Sequence, residues 1–165
     1  MNIYSNFPLS KETNRMPTVA DIMTKDVVTV KRETTVRELA GIFDQHRFGT
    51  LPVVDDDNNL VGIVTASDLV EQGRNLHIPT VISLFDWVIP LGGERTLERE
   101  LHKITAQTAG EICSSNVVTV TPSDAVSTAA DTMSSHKLHA LPVAEGGKLV
   151  GMVSRIDIIR SLIQK

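Results

Sequence analysis

The chain has 165 residues, 41% of them hydrophobic, and a formal net charge of −4. That is enough apolar material for one compact unit, or for two small ones packed together. It excludes a dedicated nucleic-acid surface, because no run of Lys or Arg supplies the basic patch, and the single cysteine, Cys113, excludes both an intrachain disulfide and a cysteine-built zinc site.

Residues 1–17 read as an N-terminal extension without the apolar run of a secretory signal, so a cytoplasmic protein is the expectation. "TVAD" at 18–21 has capping-box spacing and predicts a short helix. "VVTV" at 27–30 is β-branched and predicts a buried strand. Val36, Leu39, Ala40 and Phe43 recur at helical spacing, and Thr35 with Glu38 can cap that helix. "LPVV" (51–54) and "LVGIV" (60–64) flank a polar "DDDNN" and predict an antiparallel hairpin, with a further helix from about Ala66.

Residues 73–107 form a linker with its own pattern. "PTVISLFDWVI" (79–89) is apolar on most faces, and Phe85 and Trp87 read as core or dimer-interface residues. Pro79, Asp86 and Pro90 interrupt this stretch, which falls short of the roughly 18 apolar residues a membrane span needs. "TLERELHKITAQ" (96–107) predicts a helix with Leu97, Leu101 and Ile104 on one stripe.

From residue 108 the first pattern returns. "TAGE" (108–111), "VVTV" (117–120), the Val126–Ala129–Ala130–Met133 stripe, "LPV" (141–143) and "LVGMV" (149–153) follow in the same order. The offset is 90 through "LPV" and 89 after it, so one residue is lost between "DDDNN" and "EGGK", at a turn where a length change is tolerated. The two copies, 18–72 and 108–165, are each too small to be robust alone and should pack against one another.

Both copies end a strand with a hydroxyl residue three positions before an aspartate: Thr65 with Asp68, and Ser154 with Asp157. Two readings fit. The pair can cap the following helix. Alternatively, the acceptor-only carboxylate can hold two vicinal ribose hydroxyls while the helix start and the hydroxyl meet a phosphate. The copies differ after the hydroxyl, where Ala66 faces Arg155, and a guanidinium grips phosphate well. On the second reading, the second half is the preferred site for a phosphorylated ligand, with Lys137 or Arg47 assisting. His136 and His139 read as a helix-end and a pocket histidine in preference to a metal pair, and Cys113, aligned with Met23, as an apolar filler.

Taken together, "DIMTKDVVTV", "LPVVDDDNNLVGIVTASDL" and their counterparts "EICSSNVVTV" and "LPVAEGGKLVGMVSRIDII" resemble the cystathionine-β-synthase (CBS) domain over 18–72 and 108–162. The resemblance implies an α+β fold, a tandem CBS-domain pair of two βαββα repeats about a pseudo-twofold axis, and often a homodimer. It implies clefts for an adenosine-containing ligand such as AMP, ADP, ATP or S-adenosylmethionine, with Asp68 and Asp157 on the ribose. Adenine would lie against Val27, Val28, Val117 and Val118 and the strand entries Thr50–Leu51–Pro52 and His139–Ala140–Leu141–Pro142. Thr65, Ser154 and Arg155 complete the expected site, and no cofactor is required. The expected function is a ligand-sensing regulatory module that signals to a separate effector protein, without nucleic acid or membrane. The alternative is a structural dimerisation module with vacant pockets. An enzyme would need a metal constellation, phosphate loop or nucleophile elbow that the sequence lacks.

Overall fold

In the computed structural model the described residues are 16–46, 48–74, 81–84, 87–90 and 107–163, with backbone alone for 72–74, 81–84 and 87–90. The first half contains α1 (Val19–Ile22), α2 (Val36–His46), β1 (Thr50–Val54), β2 (Leu60–Thr65) and α3 (Ala66–Arg74). The second repeats that order as α4 (Ala109–Ile112), α5 (Val126–Ser135), β5 (Ala140–Glu145), β6 (Lys148–Ser154) and α6 (Arg155–Ile163). Between them β3 (Val81–Leu84) pairs antiparallel with β4 (Trp87–Pro90). This is the tandem α+β pair expected from the sequence. The helix expected over 96–107 falls, except for Gln107, outside the described residues. So do Arg47, His77, Phe85 and His102, and the side chain of Trp87.

Short-range chemistry starts the helices where the spacing predicts. Thr18 donates its N–H and hydroxyl to Asp21 Oδ2, each at 2.8 Å, and Thr108 donates its N–H to Glu111 Oε2 at 2.7 Å. Thr35 donates to Glu38 Oε2 at 2.8 Å and accepts the Glu38 N–H at 3.3 Å. These bonds, the Thr35 backbone donor first, hold the Glu38 carboxyl below its ordinary pKa.

Both hairpins form, β1 with β2 and β5 with β6, each with a bulge before the turn. The "VVTV" segments differ from expectation. Each makes one parallel bridge, Val30 to Val53 and Val120 to Val143, instead of a full strand. The preceding valines of each segment border a cleft, so no neighbouring strand is available to them.

The short helices are exchanged between the halves. The N–H groups of Val19 and Ala20 donate to Asp124 and Pro122 carbonyls at 2.8 and 2.9 Å. Reciprocally, Ala109 and Gly110 donate to Thr34 and Arg32 carbonyls at 2.7 and 2.8 Å. Val19, fully buried, joins the core of Met133, Leu141, Val143 and Val153. Ala109 joins that of Leu39, Leu51, Val53 and Val64. Each core is thus completed by a residue of the other copy, and the fully buried Val19 is worth about 1.5–3 kcal/mol. The reciprocal bridges Thr24 to Met152 and Ser114 to Ile63 continue the exchange and mark the pseudo-twofold axis.

That exchange explains the glycine inside both copies of "LVG". Gly62 lies under Cys113, and a Cβ there would stand 2.7 Å from Cys113 Sγ. Gly151 lies under Met23, and its Cβ would stand 2.7 Å from Met23 Sδ and 3.0 Å from the Thr24 carbonyl. Cys113 thus fills the aligned place of Met23. The two hairpin tips also meet. Asn58, at φ 65°, donates Nδ2 to the Leu149 carbonyl at 2.8 Å, and the Leu60 N–H donates to the Gly147 carbonyl at 3.0 Å. The turn where a residue was lost is therefore exposed yet paired with its counterpart, and Gly146 and Gly147, at φ 58° and 84°, supply the tighter geometry. Among the described residues no helix is long and apolar enough to cross a membrane.

Candidate functional site

Where β2 runs into α3, Thr65 donates its N–H and hydroxyl to Asp68 Oδ2 at 2.6 and 2.8 Å, and Asp68 returns its N–H to Thr65 Oγ1 at 3.3 Å. Ser154 and Asp157 repeat this at the start of α6, at 2.8, 2.5 and 3.4 Å. The capping reading of the sequence is thus realised in both copies. It engages only Oδ2. Both aspartates also line a cleft of about 1060 Å³ between the halves, a volume that suits a ligand of nucleotide size.

The exchange builds this cleft from both copies. The Thr24–Met152 bridge carries Asp26 and Val27 to the β6 side, where Ser154 and Asp157 stand. The Ser114–Ile63 bridge carries Asn116 and Val117 to the β2 side, where Thr65 and Asp68 stand. Bonds from the Ala66 N–H to the Gly49 carbonyl, 3.0 Å, and from the Arg155 N–H to the His139 carbonyl, 3.1 Å, tie the strand entries to the helix starts. Thr50 and Pro52 line the first half of the cleft, and His139, Ala140 and Pro142 the second, with Val28 and Val118 on its walls.

Three residues expected at the site lie elsewhere. Leu51 and Leu141 have no exposed surface, because strand alternation turns them from the cleft side into the two cores. Arg155 is exposed at the first position of α6 and donates Nε to the Leu138 carbonyl at 2.9 Å, so it does not border the cleft. The cations that do border it, among the described residues, are Lys137 and Arg160. Arg160 is absent from the expected set, though it lies one turn beyond Asp157 and shares its helix face. Phe48 is also new to it; the ring lines the cleft and stacks on His46 with centroids 5.1 Å apart. Ile156 and Met152 complete the apolar wall. His136 instead stays at the end of α5, Nδ1 3.1 Å from the Thr132 carbonyl.

Lys137 reaches the cleft from a left-handed backbone, φ 56°, immediately past α5. That conformation costs a non-glycine residue about 1–2 kcal/mol. Lys137→Gly should therefore raise stability by about 0.5–1 kcal/mol in urea unfolding, after allowing for the entropy of glycine. The same variant should bind an anion in the cleft more weakly. A loss of stability would show that the lysine side chain holds the helix end by contacts that outweigh the strained backbone.

Comparison with known proteins places this geometry. A family model described as the CBS domain matches residues 19–74 and 109–164. A CBS domain-containing protein of Dictyostelium discoideum is 32% identical over 148 residues, spanning 88% of this chain and 91% of that one. The solved structure of CBSX2 from Arabidopsis thaliana in complex with AMP superposes with a TM-score of 0.69 at 25% identity, covering 89% of this chain and 96% of that one. The CBS domain pair of protein MJ0100, in complex with 5′-methylthioadenosine and S-adenosyl-L-methionine, gives a TM-score of 0.67 at 25% identity, covering 90% and 97%.

Proposed function

Because this chain belongs to the CBS-domain family, as a tandem pair, we propose that it is a sensor of adenosine-containing ligands that reports to a separate protein in the cytoplasm. The observation that carries this reading is the pair of capped aspartates opening onto one cleft built by both halves. Neither cap uses Oδ1, the oxygen read as the ribose acceptor, while the valine pairs and Met152 offer apolar faces to adenine. AMP, ADP, ATP and S-adenosylmethionine-like compounds share that adenosyl core. The complexes of CBSX2 with AMP and of MJ0100 with 5′-methylthioadenosine and S-adenosyl-L-methionine support the ligand class.

A ligand held by residues from both copies favours one arrangement of the halves over another. A differential affinity of about 1–3 kcal/mol is enough to pass that preference on. The site is read as binding without catalysis. The working unit is read as a homodimer. Ile159, Leu162 and Ile163 form an exposed stripe on α6, and Leu162 and Ile163 are 70% and 77% exposed. An exposed apolar stripe of this kind supports the dimer reading.

The capping bonds alone can explain why both copies have the aspartate, which favours the scaffold reading. Calorimetric titration with AMP, ATP and S-adenosylmethionine separates the two. The sensor should give saturable heat with at least one of them, and sedimentation of the same sample should give the mass of two chains. Silence from all three at millimolar ligand would leave the scaffold.

A further inference from the structure

The two ends of the cleft differ in charge: the Asp157 end has Arg160, Lys137 and the carboxylate of Asp26 on its lining, while the Asp68 end has the neutral Asn116 in the place of Asp26 and no described cation. Arg160 lines the cleft with Nη1 3.8 Å from Asp157 Oδ1, while Oδ2 of that carboxylate is committed to the Ser154 cap. The oxygen left for a ribose hydroxyl therefore already has a cation beside it. The carboxylate is sheltered, with its side chain 15% exposed, whereas the Arg160 side chain is 66% exposed. At the matching place in the first half stands Glu71, which does not border the cleft. Asp68 Oδ1 has no hydrogen-bond or ion-pair partner among the described residues.

From this asymmetry we infer that Arg160 is a specificity-determining residue: it competes with a ribose hydroxyl for Asp157 Oδ1, and a 5′-phosphate offsets its displacement by taking the guanidinium as a partner. This rests on the adenosyl reading of the cleft. A partly exposed i,i+3 pair at 3.8 Å is weak and opens at little cost. Once open, Arg160 offers paired donors to phosphate oxygens. Lys137 adds a second positive charge at the same end. An unphosphorylated nucleoside must break the Arg160–Asp157 contact with no anion to receive the arginine. The Asp157 end therefore selects a nucleoside phosphate. The Asp68 end has no described cation on its lining and accepts an uncharged adenosyl compound without breaking an ion pair.

The test titrates the full chain with AMP and, separately, with adenosine, using wild type, Arg160→Met, Arg160→Lys and Glu71→Met. Methionine keeps most of the stem and removes the charge, and the exposed position should spare the fold, which a thermal melt checks. Arg160→Met should shrink the preference for AMP over adenosine by about tenfold or more, through weaker AMP and stronger adenosine binding. Arg160→Lys should restore part of it, and Glu71→Met should leave it unchanged. An unaltered preference in Arg160→Met, with both ligands still bound by wild type, removes Arg160 from selection and leaves the adenosyl reading standing. Absence of binding by wild type to either ligand overturns both.

Discussion

Gly62→Val should cost about 3 kcal/mol of stability or more, whereas Gly41→Ala should gain about 0.5–1 kcal/mol. Gly62 sits in ordinary strand backbone, so its freedom of φ is not what the position needs. What matters is the exchanged segment above it. An added Cβ would stand 2.7 Å from Cys113 Sγ, 3.1 Å from Cys113 Cβ and 3.3 Å from the Ser114 carbonyl. Rotating the thiol away would give up its contact with the Gly110 carbonyl, 3.8 Å away, and would leave the Cys113 Cβ and the Ser114 carbonyl in place. The segment cannot lift either, because Ile63 and Ser114 exchange two hydrogen bonds at 3.0 Å. Lifting it would also draw Ala109 from the first core. Gly41, on the exposed face of α2, leaves open space where a methyl group would stand, with nothing within 4 Å, and alanine there only reduces the freedom of the unfolded chain. Urea unfolding of both variants measures the contrast. Pairing Gly62→Ala with Cys113→Ala should recover part of the loss, because the nearest atom is then gone. Equal behaviour of the two glycines would mean that the halves do not interlock.

Asp157→Asn should keep the fold and lose the ligand; Asp157→Ala should damage both. The cap uses Oδ2 as an acceptor for the Ser154 N–H at 2.8 Å, and an amide oxygen can do the same. Removing the acceptor altogether costs about 1 kcal/mol, the usual value of such a cap. A ribose hydroxyl facing Oδ1 meets an acceptor-only group in the wild type and an NH₂ donor in the asparagine variant. Loss of a charged hydrogen bond of this kind is worth about 1.5–3 kcal/mol, a fall of roughly tenfold to a hundredfold in affinity. Melting temperatures read the cap and titration with AMP reads the site. An asparagine variant that binds as wild type does would reduce Asp157 to a cap.

What can be read from the chain divides by range. Thr18 with Asp21, Thr35 with Glu38 and Thr65 with Asp68 are three residues apart, and such bonds follow from spacing alone. The hairpins are equally local, since a polar turn between two apolar runs fixes the pairing. The exchange of α1 and α4 is not legible. Val19 meets Met133 and Val143 across more than half the chain, and nothing local distinguishes that partner from one in its own half. The two glycines are its trace: an unexplained Gly in a strand often marks close backbone approach. Leu51 and Leu141 are misplaced when "LPV" is read as a block, because period-two alternation sends neighbours to opposite faces. Adjacency to Ser154 points to Arg155, whereas on a helix the residue three beyond Asp157, Arg160, shares its side. The "VVTV" segments carry strand propensity without a neighbour to pair with, and context decides.

A crystal grown with AMP puts the paired-aspartate cleft to its sharpest trial. Electron density for adenosine is expected inside the cleft, with a ribose hydroxyl within hydrogen-bond distance of Asp68 or Asp157 Oδ1 and adenine against the valine walls. Density for the nucleotide on another surface, or a ribose in the cleft that touches neither carboxylate, would contradict the sensor reading.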